Sequence, residues 1–143
     1  MKILVINGPN LNMLGKRPKE HYGVLTLDEI NSLMLKNASN DTELRFYQSN
    51  YEGDIVTKIQ ESLSSIDGII INPAAYTHTS VAIHDALEMF SGPIIEVHLS
   101  EVDSREDFRK VNFIRSVSTK TFAGKKEQSY IEALKYIEDI LRK

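Results

Sequence analysis

Two stretches of the chain place polar, titratable side chains directly behind apolar runs. Ile69-Ile70-Ile71 leads into Asn72-Pro73 and then Tyr76-Thr77-His78-Thr79-Ser80, and Pro93-Ile94-Ile95 leads into Glu96-Val97-His98-Leu99-Ser100. In an extended strand, residues two apart share a face, so Glu96 and His98 project together, about 6.6 Å apart along the strand. A carboxylate in a strand covered on both faces is costly unless it is paired or hydrogen-bonded. The pair therefore reads either as proton-transfer equipment or as a structural ion pair beside a histidine that opens a loop. Leu99 and Ser100 follow with backbone N–H groups and a hydroxyl suited to a carboxylate. Asn72 and His78 flank a turn that opens a helix, where exposed amides favour an anion or a polar hydroxyl. Thr77 to Ser80 also serve there as helix caps.

A second source of chemistry is Gly8-Pro9-Asn10-Leu11-Asn12-Met13-Leu14-Gly15-Lys16-Arg17. Six residues separate its glycines and Arg17 follows Lys16, whereas a P-loop needs four residues and a Ser or Thr after the Lys. It is not a dinucleotide fingerprint either, and Asn7 with Asn10 cannot replace a Mg²⁺-binding carboxylate pair. What the segment does offer is Arg17 and, five residues on, Tyr22-Gly23. A phenol is a base only when ionised, and its ordinary pKa is ~10. A guanidinium close by in a desolvated site favours the ionised form. An Arg–Tyr pair on a closing loop can thus supply a base, although Tyr22 taken alone reads as an ordinary loop aromatic. Arg105 and Arg109 lie four apart, on one face of a short helix. Such arginines are usually solvated, but these fall within reach of the same edge.

The elements that must position these groups alternate. Lys2–Asn7, Leu44–Gln48, Ile69–Asn72, a strand after Pro93, and a weak strand at Thr119–Phe122 are separated by helical patterns. Thr26 opens the first helix with a capping box, since Glu29 stands three residues on. Leu27, Ile30, Leu33, Met34 and Ala38 then repeat at helical spacing. Ile55, Val56, Ile59 and Leu63 mark a helix from about Asp54, and Ala82, Ile83, Ala86, Leu87 and Phe90 mark one from about Thr79 to Phe90. A short helix is expected over Ser104–Lys110, and Tyr130, Ile131, Leu134, Ile137 and Leu141 define the last. Such βα alternation predicts an α/β fold with a parallel sheet covered by helices on both faces. Five units suggest the flavodoxin-like doubly wound order, in which ligands bind outside the carboxyl ends of the strands. Gly8 to Val24 is long for a connection in such a domain, and loops of that kind are usually functional.

Composition narrows the function. The 143 residues suit one domain, 1–143, with a lid loop at about 8–24. Apolar residues make up 41% and charged residues 26%, ordinary values for a globular chain. The net charge is −3 with scattered basic residues, which leaves no nucleic-acid footprint. The absence of cysteine excludes disulfides, thiolate metal sites and a Cys nucleophile. No apolar run approaches the ~20 residues of a membrane span, and Met1 to Ile6 is too short and wrongly flanked for a signal peptide. A cytoplasmic protein is expected. The histidines show no zinc spacing and the carboxylates form no ladder, so no metal is expected. What remains is proton-transfer equipment with hydroxyl and carboxylate binders and no cofactor motif. That inventory suits an elimination or isomerisation on a small polyhydroxylated acid.

Six blocks, in order and in register, resemble the type II 3-dehydroquinate dehydratases: Asn7-Gly8-Pro9-Asn10-Leu11; Arg17 with Tyr22-Gly23; Gln48-Ser49-Asn50 with Glu52-Gly53; Asn72-Pro73 with Thr77-His78-Thr79-Ser80; Asp85-Ala86; and Glu96-Val97-His98-Leu99-Ser100 with Arg105-Glu106 and Phe108-Arg109. The resemblance implies a cofactor-free anti elimination of water from 3-dehydroquinate, giving 3-dehydroshikimate through an enolate, in the shikimate pathway or in quinate breakdown. It implies Tyr22 as the base at C2, kept ionised by Arg17, an enolate held through a water near Asn10, and His98 protonating the departing hydroxyl, with Glu96 orienting the site. Asn72, His78 and Arg109 would bind substrate hydroxyls, and the Leu99 and Ser100 amides the carboxylate. Asp85 would reach a neighbouring subunit's site in a homododecamer built from trimers. The chain departs from the family pattern at Ala74 and Lys126, where glycines are usual, and at His84, Asp103, Ser104 and Ser129. A rival reading, a flavodoxin-like module binding flavin or a phosphorylated ligand, requires a hydroxyl-rich phosphate loop that Gly8-Pro9-Asn10-Leu11 lacks. A fold retained without activity is opposed by the joint presence of Arg17, Tyr22 and His98.

Overall fold

The computed structural model describes residues 1–143. Five strands, β1 (Lys2–Asn7), β2 (Glu43–Gln48), β3 (Gly68–Asn72), β4 (Ile94–His98) and β5 (Lys120–Ala123), form one sheet in the order β2-β1-β3-β4-β5. All neighbouring strands are parallel, and the order is the flavodoxin-like one. β3 and β4 are buried along their whole length and β1 from Ile3 onward. Hence these strands read as near-continuous apolar runs, as expected of a sheet covered on both faces.

Side-chain alternation divides the core into two layers. Ile3, Val5, Ile70, Ile95 and Val97 pack against α2 (Leu27–Asn37) and α5 (Glu127–Arg142). Leu4, Ile6, Ile69, Ile71 and Ile94 pack against α3 (Glu52–Ser62) and α4 (Val81–Glu88). No helix is long and apolar enough to cross a membrane. The register sets the carboxyl edge: Asn7 is level with Gln48 on one side and Asn72 on the other. Just beyond it, the backbone turns leaving β1 and β3 nearly touch. A Cβ on Gly8 would lie 2.4 Å from the Pro73 carbonyl oxygen, so only glycine fits.

The capping box at Thr26 is present, with the Glu29 amide donating to Thr26 Oγ1 at 3.2 Å and the Thr26 amide donating to Glu29 Oε1 at 3.0 Å. The strands match the sequence expectation to within one residue at each end, and three helices depart from it further. α3 begins at Glu52 rather than near Asp54. The helix expected over 79–90 is α4, shorter at both ends, because Ser80 Oγ accepts from the Ile83 amide at 2.9 Å and residues Ala74–His78 form a separate 3₁₀ segment. The short helix expected over 104–110 is instead two 3₁₀ turns, Val102–Ser104 and Asp107–Lys110. Arg105 between them is extended (φ −95°, ψ −151°), which breaks helical continuity. A four-residue helix, α1 (Lys19–Tyr22), lies unforeseen in the long loop and ends at Gly23, whose φ is 77°.

Glu138 on α5 ties the α2–β2 connection to the body. It is 1% exposed and accepts from the Ser39 amide at 2.8 Å, Ser39 Oγ at 3.1 Å and Thr42 Oγ1 at 2.7 Å. Burial alone would raise its pKa, but the Ser39 and Thr42 donors prevail and hold it below the ordinary carboxylate value. A carboxylate depressed in the folded state contributes stability above the unfolded-state pKa, and that contribution fades as pH falls through the folded-state value. Glu138→Gln should therefore lower unfolding free energy by about 1–3 kcal/mol at pH 7. The gap from the parent should narrow as pH drops below about 4, and urea titrations at the two pH values will measure both.

Candidate active site

The candidate residues converge on one cavity at the carboxyl edge, between the loops that follow β1, β3 and β4. Asn10, Arg17, Tyr22, Asn72, His78, His98, Leu99, Ser100 and Arg109 all line it, as does Arg105. Glu96 stands directly behind His98, and Asp85 is exposed on α4, outside this cavity. Three guanidinium groups thus face a cavity that no carboxylate lines. Such a concentration of one charge sign attracts an anion. Burial, and then the charges of Arg105 and Arg109, push the pKa of Arg17 down against the opposing pull of Tyr22, and guanidinium stays protonated regardless.

Period-two geometry brings Glu96 and His98 together as anticipated. His98 Nε2 lies 2.6 Å from Glu96 Oε2, with side-chain exposures of 4% and 0%. The carboxylate also accepts from Asn112 Nδ2 at 2.7 Å and Thr121 Oγ1 at 2.8 Å. Burial opposes its ionisation, but the His98, Asn112 and Thr121 donors outweigh this and hold Glu96 below the ordinary carboxylate range. An ionised Glu96 must accept from His98, which fixes a proton on Nε2. The other ring nitrogen, Nδ1, is then free for exchange with a ligand.

Tyr22 is 9% exposed and set by two arginines. The Arg17 guanidinium stacks over the ring, 3.7 Å from its centroid. Arg105 Nη1 donates to the Tyr22 hydroxyl oxygen at 2.8 Å and contacts Ser100 Oγ at 3.3 Å. Arg17 was the expected partner of the phenol; the group hydrogen-bonded to its oxygen is Arg105. In the sequence Arg105 stands out by its spacing from Arg109 and by its place in the sixth family block, neither of which points to Tyr22. Glu106 holds both arginines from outside, at 3.5 Å and 3.2 Å.

His78 Nδ1 sits 2.6 Å from the Val111 carbonyl oxygen, to which it must donate, leaving Nε2 as an acceptor. Burial, reinforced by His98 and Arg109, lowers its pKa and keeps it neutral. The Leu99 and Ser100 N–H groups have no acceptor within the chain. Asn10 adopts a left-handed backbone (φ 70°), and its backbone N–H donates to Asn50 Oδ1 at 3.0 Å; its side chain makes no hydrogen bond within the chain. On α4, His84 Nε2 contacts Glu88 at 2.6 Å beside Asp85.

The family model described as Dehydroquinase class II matches residues 1–138. The chain belongs to this family. A 3-dehydroquinate dehydratase from Campylobacter hominis is 54% identical over 125 residues, covering 87% of this chain and 81% of that relative. One from Helicobacter acinonychis is 48% identical over 145 residues, covering 99% and 86%. The crystal structure of type II dehydroquinase from Butyrivibrio crossotus superposes with a TM-score of 0.93 at 45% identity, covering 96% of this chain and 97% of that one. The family assignment agrees with the superposition of the fold.

Proposed function

We propose that the protein is a hydro-lyase that removes water from 3-dehydroquinate to give 3-dehydroshikimate. The observation that carries this reading is a small cavity where three arginines, one of them bonded to Tyr22, and a carboxylate-backed histidine meet without any carboxylate on its wall. It offers an anion site, a base and an acid in one space.

In this reading the Tyr22 phenolate takes a proton from C2, which the neighbouring C3 ketone acidifies. C2 remains a weak carbon acid, so a positioned base and stabilisation of the enolate are both required. Arg17 over the ring and Arg105 at the oxygen oppose the phenolate charge. The enolate oxygen is held through a water at Asn10. Collapse of the enolate forms the C1–C2 double bond and breaks the C1–O bond, and His98 gives its Nδ1 proton to the departing hydroxyl, which leaves as water. Glu96 stabilises the imidazolium that this step needs. The Leu99 and Ser100 amides take the substrate carboxylate, while Asn72, His78 and Arg109 bind its hydroxyls. The 8–24 segment acts as a lid that excludes water.

The reading extends to a homododecamer of trimers in which Asp85, exposed on α4, completes a neighbour's site, and to a cytoplasmic enzyme of the shikimate pathway. Adding 3-dehydroquinate to the purified protein should raise ultraviolet absorbance as the conjugated enone forms. Borohydride added with substrate should leave the activity intact, because no lysine adduct forms. A flat absorbance trace, or reductive trapping of a lysine, contradicts the reading.

A further inference from the structure

The dehydration as described makes no use of the Tyr130 hydroxyl, the largest fully buried side chain of the molecule and a polar one. Tyr130 enters from the first turn of α5, far along the chain, and its hydroxyl reaches the carboxyl ends of β1 and β3. It lies 2.6 Å from Asn7 Oδ1 and 2.9 Å from Asn72 Nδ2. Asn7 and Asn72 are register partners on adjacent strands, and both are buried.

The directions of these bonds are forced from one end. The Ala74 backbone N–H, 3.1 Å from Asn72 Oδ1, can only donate. Asn72 must therefore turn its oxygen to Ala74 and its NH₂ to Tyr130. Tyr130 accepts from Asn72, so its own proton goes to Asn7 Oδ1. Burial pushes the Tyr130 phenol well above its ordinary pKa, and the proton stays in place. One N–H of Asn72 is consumed by this chain of bonds and the second has no partner within the protein, while Asn72 lines the cavity. Ala74 pays for its part in conformation: its φ of 54° is left-handed, a region costing a non-glycine residue about 1–2 kcal/mol. Strain of this kind gathers where local geometry serves a site.

We propose that Tyr130 is a positioning residue: with the Ala74 N–H holding the oxygen end, its hydroxyl anchors the NH₂ end of the Asn72 side chain so that the second N–H is presented to a substrate hydroxyl. This rests on the reading of the cavity as the 3-dehydroquinate site. The Ala74 N–H holds the oxygen end of this amide at 3.1 Å; without the Tyr130 hydroxyl the NH₂ end loses its only partner in the protein and must be ordered by the substrate itself. The loss should appear in binding rather than in proton transfer, which Tyr22 and His98 carry.

Tyr130→Phe keeps the ring and hence the packing of α5. It should raise KM about tenfold while kcat stays within about threefold. Asn72→Ala should raise KM at least as much, and adding Tyr130→Phe to Asn72→Ala should raise it less than about twofold further. Equal KM factors in the two backgrounds, or an unchanged KM with only a lower Tm, would overturn the proposal. A measurement on the unmodified protein guards against a variant that fails to fold. Of the two Asn72 NH₂ signals, identified by their absence from the Asn72→Ala spectrum, the one from the N–H bonded to Tyr130 should exchange with solvent deuterium at least about tenfold more slowly than those of exposed Asn12. Exchange as fast as Asn12 would contradict the lock. Failure of the unmodified protein to convert 3-dehydroquinate would sink the functional reading instead, and the amide exchange would still decide whether Tyr130 holds Asn72.

Discussion

Tyr22→Phe should lower kcat by about 10³-fold or more while ligand affinity changes by only a few-fold. The substitution removes one oxygen from a residue that is already enclosed, so the fold and most of the cavity wall are retained. Arg17 keeps its place over the ring, since that contact is with the ring face at 3.7 Å. Arg105 loses the acceptor of its 2.8 Å hydrogen bond but retains Ser100 and Glu106 as partners. Binding, which the proposed function assigns to the arginines and the loop amides, should therefore survive. Turnover should not, because the base at C2 in this proposal is the Tyr22 oxygen that the substitution removes. Turnover within about tenfold of the parent would remove Tyr22 from the role assigned to it.

The second large effect is expected at His98. His98→Asn should reduce kcat by about 10²–10⁴-fold, the range that a positioned acid contributes. The cost should be chemical more than structural. Glu96 keeps its donors Asn112 and Thr121, and the new amide can donate where the imidazole did. Because hydroxide is a poor leaving group without a proton, the variant should still exchange the C2 hydrogen of 3-dehydroquinate with solvent while failing to release water. Single-turnover experiments with C2-deuterated substrate will separate the two steps. Loss of exchange and of water release together would show that His98 serves the first step as well.

The parallel sheet was legible because its strands are buried on both faces, so Ile69 to Ile71 and Ile94-Ile95 appear as unbroken apolar runs. Glu96 and His98 were legible as a pair because the period of a strand is two and they sit on one strand. Thr26 and Glu29 announced a helix start through a contact of three residues' separation. The contacts that reasoning along the chain missed are long in sequence. Arg105 reaches Tyr22 across 83 positions and Tyr130 reaches Asn72 across 58, and neither has a local periodicity to reveal it. Asn112 carries no signal of its own, lying in irregular chain until the fold turns it toward Glu96. The break at Arg105 was hidden for a different reason. Residues 104–110 have helical spacing, but the backbone is extended at Arg105, whose side chain reaches Tyr22 and Ser100.

The decisive test is a crystal of the Tyr22→Phe variant soaked with 3-dehydroquinate, which that variant should bind and not consume. The account predicts C2 of the substrate facing the para carbon of the residue 22 ring, with space for the missing oxygen at about 3–3.5 Å from C2, and His98 Nδ1 beside the C1 hydroxyl. A substrate seated with C2 turned from that ring and against another side chain would contradict it.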